Sequence, residues 1–451
     1  MKKLMTLGLS AILSVGLIAP TAAVQAVEQT APTTYTINFK GNKLPADVQK
    51  LIQSAGGSII NADEDLAFVQ AVSSNPQFLN NISNEKSVDN AGRTVKITHD
   101  AVEKVELNVS SDHPIYDQYQ WDIKQVTENG ESYKISKGTK DVVVAVIDTG
   151  IDLEHPDLKA NIVDAKSFVP GEATPQDFDG HGSHVAGSIA ANGQSLGIGP
   201  ELGIAGLKVF AKDGGASTAS IAQALKYAAD KDYDVVNMSL GSYQYKKDPE
   251  TTPKDIQADI NLFKKAISYA DQKGVTVVGS AGNAGVDIHN PAKLTQQLYG
   301  EDLNGATHRD PAGNLIRVSA GNLGKQLTFY SNYGVGKINV MAPGGDLGPN
   351  YDPETGLGRD NSYLCLSTVP QVDAKGNVTG HGYAFYAGTS MAAPKVAGVA
   401  GVIIAKHGKN NLKPAQVKAI IEQSAEDIYK KGKDAESGSG LANAYRALNH
   451  K

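Results

Sequence analysis

Val142-Val143-Val144-Ala145-Val146-Ile147 is an unbroken, mostly β-branched apolar run that ends on Asp148-Thr149-Gly150. Apolar at every position, not at every second one, it predicts a strand covered on both faces. The pattern downstream agrees. A helix is predicted over 221–231, with Ile221, Leu225 and Ala228 on one side, followed by a strand at Val235-Val236-Asn237-Met238. A helix over 260–273 leads to a strand at Val275-Thr276-Val277-Val278, and later strands are read at 316–318 and 338–341. Alternating strands and helices imply right-handed crossovers and a parallel sheet. The fold class is therefore α/β: a doubly wound, mostly parallel sheet flanked by helices. Such sheets carry their chemistry at the carboxyl ends of strands, and Asp148 stands at one.

The sequence upstream has a different texture. Met1-Lys2-Lys3 is a basic start, the run 4–18 is largely apolar, Pro20 breaks it, and Val24-Gln25-Ala26 offers small residues for cleavage. This reads as a signal peptide over 1–26, because the run is short for a span of about 20 residues. The product is expected to be secreted and extracellular, with no membrane role in its mature form. Residues 27–104 form a small α+β block, with strands at 35–39, 58–60 and 67–69, a helix over 45–52 and a second one opening at 75–78. The Asn/Ser/Asp-rich stretch 80–100 reads as the block's end and an exposed connector. Residues 105–451 make up the larger α/β domain.

Composition bounds the rest. Of 451 residues, 41% are hydrophobic and 20% charged, which is enough for a large core. The net charge of −6 argues against nucleic acid or an acidic membrane as partner. The one cysteine, Cys365, cannot form a disulfide within the chain.

Three motifs carry chemistry. Ile147-Asp148-Thr149-Gly150 puts an acid at the strand end. Gly180-His181-Gly182-Ser183-His184 opens a helix on a histidine. Gly388-Thr389-Ser390-Met391-Ala392-Ala393-Pro394 opens an apolar helix on a serine. Singly, each has an ordinary reading: a turn acid, a surface histidine, an N-cap. Together, in the order Asp, His, Ser, they resemble the subtilisin-like serine proteases, or subtilases. The likeness runs from Asp141 to about Ala447 and includes His155-Pro156-Asp157-Leu158, Asn237-Met238-Ser239-Leu240-Gly241, Ala281-Gly282-Asn283, Ser331-Asn332-Tyr333-Gly334 and Ala342-Pro343-Gly344.

The resemblance implies a serine endopeptidase that works through an acyl-enzyme. Ser390 is the implied nucleophile, His181 its base, and Asp148 the group that fixes the imidazole tautomer. Asn283 and the Ser390 backbone N–H are the implied oxyanion donors. Gly214, Gly215, Ser239, Leu240 and Gly241 are implied to clamp an extended polypeptide substrate as an added strand. Ala216 departs from the commoner glycine, and Ala284 stands where many relatives carry an acid. The 27–104 block resembles a propeptide that assists folding, inhibits the site and is cut off between about 95 and 115. Asp157 matches a calcium-ligand position, although Asn192-Gly193-Gln194-Ser195-Leu196-Gly197 is short for a calcium loop. No cofactor is expected for catalysis, and calcium only as a structural ion. A monomer is expected.

Alternatives remain. Pro394-Lys395-Val396-Ala397-Gly398 and the short Ala190-Ala191-Asn192-Gly193 loop also resemble proteases that remove leader peptides from lantibiotic precursors. The segments 242–253 and 286–314 look expanded and sit where loops tune specificity. An α/β-hydrolase would need G-x-S-x-G and the order Ser, acid, His. Ala392 and the reversed order oppose it. A catalytically dead homologue is opposed by the intact motifs.

Overall fold

A computed structural model describes residues 31–98, 103–107, 114–212, 214–240, 252–290, 315–352 and 354–450. The expected signal peptide and Gly241 lie outside these residues, as do 242–251 and 291–314 of the two expanded segments.

The N-terminal block contains β1 (Thr33–Phe39), α1 (Val48–Ala55), β2 (Ser58–Asp63), β3 (Phe68–Ser73), α2 (Phe78–Ser83) and β4 (Val88–Arg93). Its strands form one antiparallel sheet in the order β2-β3-β1-β4. Ile37, Phe39, Ile52, Val69, Phe78 and Ile82 close a core of its own. The stretch 80–100 is not the exposed connector expected from its composition. It supplies β4 and then β5 (Lys96–Thr98). Its polar side chains hid strands whose stability comes from backbone docking. Asp255 accepts from Arg93 N and Arg93 Nε, and Asp259 accepts from Val95 N at 3.1 Å. A Cβ on Gly92 would lie 2.4 Å from Asp255 Cα, so only glycine allows this approach.

The rest of the chain continues with β6 (Glu103–Leu107), α3 (Ile115–Tyr119), α4 (Trp121–Thr127), β7 (Val143–Asp148), β8 (Ile162–Ser167), α5 (His181–Ala190), β9 (Gly203–Lys208) and β10 (Gly215–Ser217). Then come α6 (Thr218–Asp230), β11 (Val235–Met238), α7 (Pro253–Gln272), β12 (Thr276–Ser280), β13 (Ile316–Gly321) and β14 (Val340–Pro343). The last elements are β15 (Cys365–Val372), β16 (Val378–Ala387), α8 (Thr389–His407), α9 (Pro414–Ser424) and α10 (Ala444–Asn449). Seven parallel strands form the central sheet in the order β14-β13-β12-β11-β7-β9-β8.

The winding reverses at β7, so the carboxyl end of the decisive strand sits at the topological switch point. Every residue of β7 is buried. Val144 and Val146 face the layer of α5 and α8, whereas Val143, Ala145 and Ile147 face α6 and α7. Helix α8 packs so closely that a Cβ on Gly401 would lie 2.7 Å from Leu202 Cδ1. Helix α7 starts earlier than its apolar spacing suggested, because Thr252 and Asp255 form a capping box with Pro253 in the first turn.

Candidate active site

Asp148 is the last residue of β7, and His181 the first of α5. His181 Nδ1 lies 2.7 Å from Asp148 Oδ1, and both side chains are fully buried. Glycine makes the meeting possible. A Cβ on Gly182 would stand 2.1 Å from the Gly150 carbonyl and 3.2 Å from Asp148 Cβ. Gly180, at the N-cap, takes φ 99°, which few other residues tolerate. Burial alone would make the imidazole less basic. The charge and hydrogen bond of Asp148 outweigh it, and the His181 pKa rises above its ordinary value.

A residue not singled out from the sequence organises this turn. Buried Asp177 accepts from Thr149 Oγ1, Asp179 N and Gly180 N through Oδ1, and from Ser183 N and Oγ through Oδ2. Burial opposes ionisation there, yet these donors hold the carboxyl below its usual range. The signal was available: an acid shortly before Gly180, with Ser183 in the first helical turn, is cap chemistry. Lys208, also not singled out, pairs in register with Asp148, and its Nζ donates to the Thr149 carbonyl at 2.7 Å.

Ser390 lies in the first turn of α8. Pro394 has no N–H, so the Ser390 carbonyl loses its helical partner. The Ser239 hydroxyl replaces it at 2.8 Å and is itself held by Asn237 Nδ2 at 3.0 Å. Ser390 Oγ donates to the Ser239 carbonyl at 3.3 Å, long for a hydroxyl hydrogen bond. Asn283 Oδ1 accepts from Thr389 N at 2.9 Å and Thr389 Oγ1 at 2.7 Å. That fixes the amide with its nitrogen as the remaining donor end. One turn deeper, Lys395 Nζ pairs with Asp122 at 2.7 Å, fully buried, tying α8 to α4.

The segments expected to hold substrate are placed as follows. Gly215 and Ala216 belong to β10, which pairs antiparallel with β5: Gly215 opposite Thr98, Ala216 opposite Ile97. A Cβ on Gly215 would strike Lys96 Cε at 2.1 Å, and Gly214 adopts φ 78°. Ser239 and Leu240 follow β11 and lie outside any strand. Further along, β6 pairs antiparallel with β16, with Glu103 opposite Ala387, three residues before Ser390. His184 serves the scaffold: its ring stacks on Tyr386 at 4.3 Å, and Nε2 sits 3.1 Å from the Cys365 and Ala384 carbonyls.

The surroundings of Asp157 do not fit a calcium ion. Its carboxylate already accepts from Gln194 N, Ser195 N, Ser195 Oγ and Tyr383 OH, at 2.7 to 3.1 Å. A Cβ on Gly193 would lie 2.0 Å from Asp157 Oδ1, so the short loop closes directly on the acid. Protein donors occupy the lone pairs an ion would need. Tyr383→Phe is therefore expected to cost about 1–3 kcal/mol of stability. Thermal unfolding of the variant should show that millimolar calcium does not restore it.

An acid that ends a central parallel strand and is hydrogen-bonded to an imidazole opening the next helix, with a serine in the first turn of a later buried helix, keeps the chain order Asp, His, Ser of one class of serine peptidase. The chain belongs to the subtilase family, whose model matches residues 139–443. It is 31% identical over 341 residues to a thermophilic serine proteinase of Bacillus sp. (strain AK1), covering 74% of this chain and 68% of that protein. It is 30% identical to the epidermin leader peptide-processing serine protease EpiP of Staphylococcus epidermidis, covering 74% and 75%. The crystal structure of EpiP from Staphylococcus aureus superimposes with a TM-score of 0.75 at 25% identity, covering 93% of this chain and 98% of that one.

Proposed function

We propose that this subtilase is a secreted endopeptidase in which Ser390 attacks the peptide carbonyl, His181 takes and returns the proton, and Asp148 orients the imidazole. Asn283 and the Ser390 backbone N–H receive the oxyanion; a first-turn N–H has no partner within its helix and faces the developing charge. The carrying observation is the buried Asp148–His181 pair at 2.7 Å, set at the sheet's switch point. Gly214, Gly215, Ser239 and Leu240 line the groove for an extended polypeptide. An active-site fluorophosphonate should label Ser390 in the matured enzyme, and absence of labelling would favour a binding role instead.

Residues 27 to about 98 act as the intramolecular inhibitor. The support is that the chain occupies its own groove, with β5 on β10 and β6 on β16. The bond cut on maturation then lies between Thr98 and Glu103. A second reading, removal of leader peptides from lantibiotic-type precursors, is favoured by the likeness to EpiP. Cleavage-site profiling on mixed peptides separates the two: scattered cuts support a broad protease, one narrow motif a processing enzyme.

Release of the block should depend on pH. Burial beneath it pushes the Asp259 carboxyl up to about 7. With the block gone, α7 is open to solvent there and the pKa returns toward about 3.9. Binding the block thus takes up a proton. Affinity is highest below about pH 4, falls as pH rises to about 7, and is flat above. Asp259→Asn mimics the protonated acid. It should flatten this profile and tighten the block at pH 8 by up to about 10³-fold, read as the inhibition constant of the released block.

A further inference from the structure

Helix α8 is buried at every position from Thr389 to Ile404, and one of those residues is a lysine. The Lys395 side chain has no exposed surface, and neither has that of its partner Asp122 on α4. Taking an ammonium and a carboxylate out of water is costly, and an apolar pair of similar volume often holds a fold as well or better. A charge kept in the core, about one turn past Ser390, calls for a use beyond packing.

The pair is placed to act on the first turn of α8. Lys395 Nζ reaches back along the helix and donates to the Met391 carbonyl at 2.9 Å, while it lies 2.7 Å from Asp122 Oδ2. The preceding carbonyl, that of Ser390, has lost its helical N–H to Pro394 and relies on the Ser239 hydroxyl. Two successive carbonyls in the turn of the nucleophile are thus held by side chains. One comes from the segment after β11, the other from α8 itself, anchored on α4. Burial alone would strip the ammonium of its proton. The Asp122 charge outweighs it, and the Lys395 pKa rises above its ordinary value, so the clamp stays charged wherever a histidine base works. The charge is felt on the helix of His181 too. Burial first, then Lys395, keeps the His184 imidazole neutral, and its Nε2 faces the Cys365 and Ala384 carbonyls.

We propose that Lys395, fixed by Asp122, is a positioning residue for catalysis: its ammonium clamps the Met391 carbonyl and so sets the turn of α8 that presents the Ser390 hydroxyl and backbone N–H. This rests on Ser390 being the nucleophile. It adds that α4 must be docked before the serine is in register. Catalytic groups need to be held to within about 0.5 Å, and a misplacement of about 1 Å can cost about 10²-fold. A turn that Pro394 has deprived of one main-chain bond is held less firmly than an ordinary one, and the clamp on the next carbonyl makes good the loss.

Two variants test this, each matured with immobilised parent enzyme. Their active sites are counted by titrating Ser390 with a fluorophosphonate, so that kcat refers to folded, reactive molecules only. Asp122→Leu combined with Lys395→Met replaces the ion pair by an apolar one. Its thermal midpoint should stay within about 5 °C of the parent. Its KM should stay within about 2-fold, while kcat falls about 10- to 100-fold, the pattern of an interaction spent on the transition state. Asp122→Asn keeps the size of the anchor but not its charge, and should lose about 3- to 10-fold in kcat at unchanged KM. A double variant with the parent's kcat would overturn the proposal and leave the pair a packing element. If the double variant does not fold, Asp122→Asn decides: kcat per titrated site equal to the parent's would overturn it as well. A parent enzyme whose Ser390 takes no label would instead remove the catalytic reading on which the proposal rests.

Discussion

Ser390→Ala is expected to lower kcat by about 10⁶-fold and to leave the chain at full length. The size follows a knock-out measured in another member of this family, where residual catalysis of about 10³–10⁴ over water survives in the oxyanion donors and binding. The local structure explains why the loss should be chemical and not conformational. The Ser390 hydroxyl makes only the long hydrogen bond to the Ser239 carbonyl among the described residues. The backbone at this point is held by other groups: the Ser239 hydroxyl on the Ser390 carbonyl, and Asn283 on Thr389. Removing one oxygen disturbs none of them, so thermal stability should stay within about 0.5 kcal/mol of the parent. Intact mass after expression and turnover of a long peptide are the two measurements. Release of the N-terminal block by the purified variant, free of other proteases, would contradict Ser390 as the nucleophile.

Asp148, His181 and Ser390 are all shielded from solvent, with β5 paired to β10 and β6 to β16. These pairings were hard to see in the sequence, and the reason is physical. β7 announces itself because both of its faces are buried and every residue must be apolar. β4 and β5 do not, since Asp89, Asn90, Arg93 and Lys96 are polar and their strands are stabilised by backbone groups docked on Asp255, Asp259 and β10. The β15–β16 hairpin was likewise missed. Ser367, Thr368, Gly380 and Gly382 break any apolar alternation, although the hairpin supports His184.

The site divides along the same line. Asp148, His181, Ser390 and Asn283 were legible because each sits in a short motif whose glycines have specific steric work, as the 2.1 Å approach at Gly182 illustrates. Asp177 carried a cap signal next to Gly180 and Ser183, whereas Lys208 and the Asp122–Lys395 pair carried none, because their partners lie far along the chain or in backbone groups that no motif records. The ion expected at Asp157 illustrates the converse. The motif matches, but Ser195 and Tyr383 have taken over the carboxylate, and only their positions in space reveal it.

Asp148→Asn is expected to cost about 10⁴ in kcat, the scale found when the same exchange is made in a serine protease of unrelated fold. In the parent, Oδ1 accepts both from His181 Nδ1 and from Thr149 N, the latter at 2.7 Å. An amide must choose. If its oxygen stays there, both donors remain satisfied, but the charge that stabilises the imidazolium is gone and an NH₂ is buried at the other position. If the amide turns over, its NH₂ faces Nδ1, the proton moves to the far nitrogen, and the imidazole can no longer accept from Ser390. Neither arrangement supports proton transfer in the attacking step. A second readout separates this from general damage. Without Asp148, burial dominates and the His181 pKa falls, reversing the elevation present in the parent. A base works while neutral, so the acid limb of the kcat/KM profile should move to lower pH as the plateau drops. The variant will need the wild-type enzyme in catalytic amount to remove its N-terminal block. If the matured variant kept the parent's acid limb and plateau, His181 would not be the base that Asp148 tunes.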